Sequence, residues 1–412
     1  MLLGARAPSV QAVALAKGNT TFEQQCSSFA TSLRINGVNS IASDCPSQNV
    51  TVNLCRVTAR IATSPRSGIK FEAWLPENWT GRFLSTGNGA LGGCIQYKDL
   101  GYASPLGFAF VATNNGHDGQ SGLPVLNRED VIEDFTYHAL MTGVVVGKEV
   151  TKSFYNKPHT KSYYLGCSTG GRQGFKQAQA FPDNFGGIVA GAPAFAFNNL
   201  TSRSCHFLPL TGQQGADTFI PMTMWPTIHD DILAQCDELD GVKHGFLESP
   251  DLCDYKPESL LCGVNSNQTA ACLTQSKSKP SAPGAELSGA PQTYFSGQPF
   301  GASDWFKYAI LNDYTWDPAT ITPEDYVRSS SLNLFNIETW DGNLSPFKSH
   351  GEKLLHYHGL IDGTISSDNS PPVLRARVPD DGGGTGAAFI GNQAKNMVSL
   401  DPEENVIMAM VR

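Results

Sequence analysis

Long apolar runs, clusters of basic residues and closely paired cysteines are all absent from this sequence of 412 residues. No stretch approaches the roughly 18 consecutive apolar residues of a membrane-spanning helix, so we expect no membrane partner of that kind. The net charge of −9 and the lack of a basic run argue against nucleic acid and against an anionic membrane surface as partners. Because no C-x-x-C pair occurs, a zinc site built on such a pair is not expected.

The residues that are present indicate a secreted globular protein. Hydrophobic residues make up 40% of the chain, and its length suffices for one large core plus an accessory domain. Ten scattered cysteines favour disulfides formed in an oxidising compartment. Residues 1–18 are a possible signal peptide, because residues 14–16 match a small-x-small cleavage pattern, although Arg6 and Pro8 interrupt the apolar run. Six N-x-S/T sequons fit an extracellular glycoprotein, and they begin at Asn19, Asn49, Asn78, Asn199, Asn267 and Asn343.

The stretch 163–172 carries the strongest chemical signal. It has the pattern of a strand end, a tight turn and a helix start, with Ser168 at the turn and Gly166 and Gly170 two residues to either side. A serine on such a sharp turn has strained backbone torsions, and side chains at the two glycine positions would collide with neighbouring backbone. The pattern predicts a nucleophilic serine, with the N–H of Thr169 facing an ester oxygen that becomes negative. A glycine-rich turn around a buried serine is the alternative.

Strand-like and helix-like segments alternate over the first half of the chain. Strands are predicted at 69–76, 82–86, 108–113 and 187–193, and a helix at 134–154. This alternation implies a mostly parallel sheet of the α/β class.

The glycine-rich loop that follows the segment 82–86 is a candidate for a second oxyanion donor. It begins Gly87-Asn88-Gly89, and an α/β-hydrolase places that donor after an early strand. An ordinary loop is the alternative. His117 precedes the serine by 51 residues, in the wrong part of such a fold, so a structural role is favoured over a catalytic one.

Composition changes between residues 196 and 345. Proline, glycine, serine and asparagine are frequent there, which predicts a disulfide-stapled lid inserted between strands of the core. Within it, the segment 236–246 has closely spaced acidic residues before glycines, which suggests a loop around a hard cation. A solvated acidic turn is the alternative.

The core resumes at 353–365, an apolar strand that leads into His358-Gly-x-x-Asp362. Asp362 stands where such a fold presents the acid of a catalytic triad, and the order serine before aspartate is the right one. A polar turn that closes the strand is the alternative.

Three segments together resemble one protein family. They are the nonapeptide 166–174, the residues around Phe181-Pro182, and the run 191–194. They closely resemble the tannase/feruloyl esterase family, in its fungal feruloyl esterase B form, over about residues 26–370. The resemblance implies a secreted α/β-hydrolase with a large inserted disulfide-rich lid that binds calcium. It also implies cleavage of aromatic-acid esters, either gallate in tannins or ferulate on plant cell-wall polysaccharide.

The resemblance assigns domains and roles. The core would be 19–195 plus 346–370, and the lid 196–345. Ser168 would attack the ester, a histidine would take its proton, and Asp362 would orient that imidazole. The oxyanion would be held by Thr169, Gly87 and Gly89. The calcium ligands would be Asp237, Asp240, the carbonyl of Val242, position 244 and the carbonyl of Phe246. The implied disulfides are Cys26–Cys55, Cys45–Cys94, Cys236–Cys253 and Cys262–Cys272.

Two features depart from the family. His244 replaces an aspartate, and a neutral imidazole is a poor ligand for a cation that prefers oxygen, so calcium binding should be weakened or lost. The family pattern stops at residue 370, and the tail 371–412 contains neither histidine nor cysteine. The triad histidine is therefore not present, since His358 is the last one, and Cys167 has lost the disulfide partner that follows that histidine in the family. We expect the tail not to be family-like and to be loosely packed, because it cannot cover an apolar sheet face.

Three interpretations follow from these departures. The chain is an esterase of this family whose coding sequence is altered after residue 370, or it is an inactive homologue that only binds phenolic esters or cell-wall glycans. The third interpretation is an esterase that recruits another histidine, such as His358 or His117.

Overall fold

A mixed seven-stranded sheet lies at the centre of the chain. The structure, a computed structural model, describes residues 10–12, 21–35, 52–243, 245, 247, 252–263, 272–277, 293–359, 362–365 and 405–411. Two short strands, Val10–Ala12 (β1) and Leu33–Ile35 (β2), pair antiparallel in a separate small sheet. The large sheet consists of Leu54–Ala62 (β3), Gly68–Pro76 (β4), Arg82–Thr86 (β5), Phe108–Thr113 (β6), Lys161–Cys167 (β7), Gly187–Gly191 (β8) and Lys353–Tyr357 (β9).

The order of strands across this sheet is β3-β4-β6-β5-β7-β8-β9. The β3–β4 and β4–β6 pairs are antiparallel, and every later pair is parallel. This confirms the expected α/β-hydrolase fold. Parallel strands end at one edge of the sheet, which is where such folds place their sites. The register there sets Thr86 opposite Leu165 and Cys167 opposite Gly191.

The described part of the chain also contains helices. The α-helices are Phe22–Ser32 (α1), Tyr97–Ala103 (α2), Glu129–Glu133 (α3), Ala139–Tyr155 (α4), Thr169–Ala180 (α5), Phe197–Thr211 (α6), Trp225–Cys236 (α7), Pro323–Leu332 (α8), Ser345–Ser349 (α9) and Val406–Val411 (α10). Two π-helical segments, Asp134–His138 and Trp305–Ile310, also occur. The predicted helix at 134–154 is therefore a π-helical turn followed by α4.

The N-terminal region differs from expectation in one respect. Sequence analysis predicted no strand before residue 69, whereas Leu54–Ala62 is a full edge strand with alternating burial. The Cys26–Cys55 disulfide ties α1 to this strand.

Two compact units divide the chain. The first consists of Met1–Ala196, Asn333–Tyr357 and Ala387–Arg412, and the second of Phe197–Leu332 and His358–Gly386. The first unit resumes at Asn333 after the second unit's segment 197–332, while the sequence-based bounds of core and lid, with a lid at 196–345, stay predictions. Residues 333–357 belong to the first unit because Thr339 N–H donates to the carbonyl of Phe195 and β9 pairs with β8.

The last helix corrects the expectation of a loosely packed tail. Ile407 of α10 is buried in the apolar cluster that contains Leu165 and Val189. Next to it, the hydroxyl of Tyr102 donates to Asn405 Oδ1 at 2.8 Å. This end of the tail therefore covers apolar surface of the first unit, while residues 366–404 lie outside the described part of the chain.

Candidate active site

Ser168 lies in a strained turn between β7 and α5. Its backbone torsions are φ 63° and ψ −121°, a conformation that residues with side chains rarely adopt. Three backbone hydrogen bonds hold it: its N–H donates to Gly191 O at 3.0 Å, and its carbonyl accepts from the N–H groups of Arg172 and Ala194, each at 3.1 Å. The surrounding chain therefore maintains the strain, as expected of a functional turn.

The glycines of this turn are required by close backbone approach. A Cβ at Gly166 would lie 2.6 Å from the carbonyl oxygen of Gly170. A Cβ at Gly171 would lie 2.4 Å from the carbonyl oxygen of Gly191. Neither position leaves room for a side chain, which gives the G-x-S-x-G-G spacing its physical reason.

The glycine-rich loop after β5 packs on the first turn of α5. The N–H of Gly87 donates to Leu165 O at 3.2 Å, and that of Asn88 donates to Gln173 Oε1 at 3.0 Å. Both N–H groups are thus engaged, so Gly87 fixes the loop rather than offering the oxyanion donor expected of it. The N–H of Gly89 donates to no residue within the described ranges, and it is the remaining candidate of the loop.

Thr169 connects this loop to the turn through its side chain. Its hydroxyl donates to Ala90 O at 2.7 Å, and Ala90 has a positive φ of 52°. The N–H of Thr169, at the first position of α5, is one of those that lack an acceptor inside a helix. The sequence did not indicate the loop contacts of Gln173 and of the Thr169 hydroxyl, because single polar side chains at the start of a helix give no periodic signal.

Asp362 belongs to the second unit, in the turn after β9. Its Oδ1 accepts from Thr364 N–H at 2.9 Å, Thr364 Oγ1 at 2.8 Å and Ile365 N–H at 3.0 Å. Its Oδ2 lies 3.5 Å from His358 Nε2. Burial raises the pKa of Asp362, but the hydrogen bonds from His358, Ile365 and Thr364 outweigh it and hold the pKa below its ordinary value. The carboxylate is therefore held ionised.

The two histidines proposed as substitute bases each have a backbone carbonyl partner. His358 Nε2 lies 2.9 Å from Ile365 O, so the nitrogen nearest Asp362 is shared with that carbonyl. His117 is buried, with Nε2 2.7 Å from Leu91 O, and burial lowers the pKa of its imidazole. The geometry of His117 agrees with the structural role favoured from its position.

The predicted calcium loop is described in part. Asp237, which is buried, accepts the Gly245 N–H at both carboxylate oxygens, and Asp240 Oδ1 accepts the Val242 N–H at 3.0 Å. No group of three or more metal-binding side chains occurs in the part of the chain that the structure describes. Positions 244 and 246 lie outside that part. Two carboxylates three residues apart at a turn with a left-handed Gly241 nevertheless provide the oxygen donors that calcium prefers.

Three of the four implied disulfides are present, namely Cys26–Cys55, Cys236–Cys253 and Cys262–Cys272. The implied pairing of Cys45 with Cys94 is not borne out, because Cys94 is in no disulfide in the structure; Cys45 lies outside the described residues. Cys167, beside the serine, has a hydrogen bond with the partly buried Tyr357 side chain.

Comparisons with known proteins agree in pointing to one family. The family model for tannase and feruloyl esterase matches residues 55–282. A probable feruloyl esterase B-2 of Aspergillus terreus is 43% identical, with 95% of this chain and 85% of that protein aligned. The crystal structure of feruloyl esterase B from Aspergillus oryzae has a TM-score of 0.86 at 41% identity, covering 95% of this chain and 90% of its own. The tannin acyl hydrolase of Aspergillus niger, 21% identical, shares the fold with a TM-score of 0.62 over 80% of this chain and 70% of its own.

The alignment with the Aspergillus terreus protein also shows that this chain lacks some of its positions. It extends over 454 residues, more than the 412 of this chain, so at least 42 positions of the Aspergillus terreus protein have no counterpart in this chain. Because 95% of this chain is aligned, part of the tail 371–412 must be related to that protein. The chain therefore lacks positions that this relative has, and the expectation that the tail is not family-like stays a prediction.

Proposed function

Because the chain belongs to the tannase and feruloyl esterase family of carboxylic ester hydrolases, we propose that its substrates are feruloyl or galloyl esters of plant polysaccharides or tannins. The family hydrolyses aromatic esters. Feruloyl esters are the more direct choice, because the Aspergillus relatives at 43% and 41% identity are named feruloyl esterases, whereas the tannin acyl hydrolase is only 21% identical.

The strained backbone of Ser168 is the observation that carries this proposal. A serine held at φ 63° beside a helix N-terminus is arranged for attack on an ester carbonyl. Attack would form a tetrahedral oxyanion, which the N–H groups of Thr169 and Gly89 would stabilise. Loss of the alcohol would leave an acyl-enzyme, which water then hydrolyses. Asp362, held ionised, has the role of orienting an imidazole.

The proton acceptor is the missing part of this mechanism. No histidine follows His358 in the 412 residues, and at least 42 positions of a relative have no counterpart in this chain. We propose that the missing positions include the histidine segment. Without its base, a triad enzyme loses about 10⁴- to 10⁶-fold in kcat. This favours, as a second candidate function, a homologue that binds phenolic esters or cell-wall glycans with little turnover.

Hydrolysis of methyl ferulate and methyl gallate by the 412-residue protein tests these proposals. We expect slow, Ser168-dependent hydrolysis, far below the rate of the feruloyl esterase B of Aspergillus oryzae measured in parallel. Ser168→Ala is the matched control for spontaneous hydrolysis. Binding of either ester without any difference in turnover between the wild type and Ser168→Ala would instead favour the binding function.

Calcium is proposed as a structural ion of the second unit. Asp237, Asp240 and the carbonyl of Val242 would hold it, and it would stabilise the segment next to the Cys236–Cys253 disulfide. His244 in place of an acidic ligand should make this binding weak.

Secretion and glycosylation are proposed from the disulfides and sequons. Three disulfides are typical of an oxidising compartment. The sequon asparagines Asn78, Asn199 and Asn343 are exposed, as a glycan acceptor must be. No described helix is both long and apolar enough to cross a membrane.

A further inference from the structure

Two buried carboxyl groups of the first unit have opposite surroundings. Glu72 on β4 receives hydrogen bonds at both oxygens: from Arg56 at each, from the Tyr97 hydroxyl at Oε1 and from Trp74 Nε1 at Oε2. Four donors, two of them from a guanidinium, are the environment of an ionised carboxylate. Asp99 on α2 is fully buried, and the only side chain bonded to its carboxyl group among the described residues is that of Thr86.

The Thr86 hydroxyl has two oxygen neighbours and a single proton. Its Oγ1 lies 2.7 Å from Asp99 Oδ2 and 3.0 Å from Leu165 O. A backbone carbonyl can only accept, so the hydroxyl proton is needed for Leu165. Both short contacts are satisfied when Asp99 supplies the second proton, donating from Oδ2 to Thr86. Its Oδ1, which is buried without a hydrogen-bond partner, is then a neutral carbonyl oxygen rather than half of an unpaired charge.

We propose that Asp99 is a protonated positioning residue, whose carboxylic acid donates to Thr86 so that the Thr86 hydroxyl can hold the Leu165 carbonyl. Leu165 O also accepts the Gly87 N–H, and it lies three residues before Ser168. The chain from Asp99 through Thr86 to Leu165 thus joins the start of the glycine-rich loop to the strand that carries the serine.

The groups around Asp99 agree with a neutral acid. Lys98, its neighbour on α2, is exposed and exerts only a weak Coulombic effect on it. The phenols that interact with it are Tyr102, Tyr164 and Tyr357, and burial raises the pKa of each, that of Tyr102 to about 12, so all three stay neutral.

The remaining elements around α2 add no charge next to Asp99. The ion pair of Arg56 and Glu72 is bonded to Tyr97 instead. The sequences of β6 and α10 contain no titratable side chain. Burial raises the pKa of Asp99 to about 7, against the lowering effects of the Thr86 bond and of Lys98.

The sign of the pH effect follows from the raised pKa. A group that binds its proton more tightly when folded gives stability that is full below the unfolded pKa, about 3.9, and is lost as pH rises through about 7. Asp99→Asn has nearly the same shape, is neutral at every pH and can donate its amide N–H to Thr86. The variant should therefore lack this pH dependence.

Thermal melts of the full chain and of Asp99→Asn at about pH 5 and about pH 8.5 provide the test. We expect the Tm of wild type relative to the variant to fall by at least about 3 °C between the two pH values. A Tm difference that is the same at both pH values, or that grows toward pH 8.5, would show an ionised or merely space-filling Asp99 and overturn the proposal. Glu72→Gln is the contrasting control, because it removes one partner of the buried ion pair with Arg56 and should destabilise the protein at both pH values.

Infrared spectroscopy keeps the test open if Asp99→Asn fails to fold. At about pH 6 the wild type should show the C=O band of a buried protonated carboxyl group, and Thr86→Val should shift that band by removing its hydrogen-bond acceptor. Absence of the band, or a band indifferent to Thr86→Val, would contradict the proposal. The role of Ser168 rests on the proposed function, whereas these measurements do not need turnover, so the two can fail separately.

Discussion

Two regions carry predicted catalytic residues, the serine side in the first unit and the acid side in the second, and they differ in how completely the chain builds them. The serine side, residues 87–90 and 166–174, is held by backbone and side-chain hydrogen bonds that all lie within the first unit. The acid side, residues 358–365, has an ionised Asp362 held by its own turn, but its nearest histidine is shared with a backbone carbonyl.

This difference shows which part of a catalytic triad depends only on residues that are close in sequence. The tight turn around Ser168 is specified by a few neighbouring residues and by the strands that they contact. It therefore persists when other parts of the chain change. An imidazole that meets both the acid and the serine must come from a third segment. In this chain that segment is among the positions that we propose to be missing.

The largest loss of stability should come from adding a side chain in the tight turn that carries Ser168. Gly171→Val places a side chain 2.4 Å from Gly191 O and 2.8 Å from the Pro193 Cα, both backbone atoms that cannot move aside. We expect a loss of more than about 4 kcal/mol in the free energy of unfolding, or no folded protein, measured by urea unfolding. Gly342→Ala, where an added Cβ has no neighbour within 4 Å, should stay within about 0.5 kcal/mol of wild type. A stable Gly171→Val protein would show that the serine side is less constrained than these distances imply.

A smaller effect is expected on the acid side. Asp362→Asn keeps an acceptor for Thr364 and Ile365 but removes the charge, so it should cost about 1–2 kcal/mol at neutral pH. Because the folded pKa is lowered, the stability from the carboxylate is present above the unfolded pKa of about 3.9 and is lost as pH falls through the folded value. The difference between wild type and variant should therefore shrink in acid, as urea unfolding at several pH values can measure. A cost that does not vary with pH would mean that the charge of Asp362 contributes nothing.

The smallest effect concerns calcium. Thermal melts with calcium and with a chelator should show a slight stabilisation of wild type, below about 1 kcal/mol, and a larger one for His244→Asp, because a ligand that binds only the folded state stabilises it by mass action. Equal calcium shifts in both proteins would mean that position 244 is not a ligand.

The parts of this fold that could be predicted from sequence are those with a local signal. The strands at 82–86 and 108–113 were predicted with their observed bounds, since short apolar runs bounded by turn residues are distinctive. The strand 54–62 was missed although its burial alternates as expected of a strand, so this local signal was overlooked rather than absent. The helix 406–411 was missed because only its packing on the sheet, not its six residues, stabilises it.

Among the candidate catalytic residues, too, only features with a local sequence signal could be predicted. The G-x-S-x-G spacing predicted the position of Ser168. It did not predict that the N–H groups of Gly87 and Asn88 donate to Leu165 O and Gln173 Oε1. Pairings between distant polar groups, including that of Thr86 with Asp99, leave no pattern in the sequence, because they depend on strand register.

The central claim is that Ser168 is positioned as a nucleophile while its catalytic histidine is missing. Rescue of hydrolysis by added imidazole tests this claim most directly. Methyl ferulate hydrolysis by the 412-residue protein should be slow alone and should rise with imidazole concentration, while Ser168→Ala should respond no more than buffer does. Turnover above about 1 s⁻¹ without imidazole, lost in Ser168→Ala, would contradict the account, because that is an ordinary enzyme rate and requires a base within the chain.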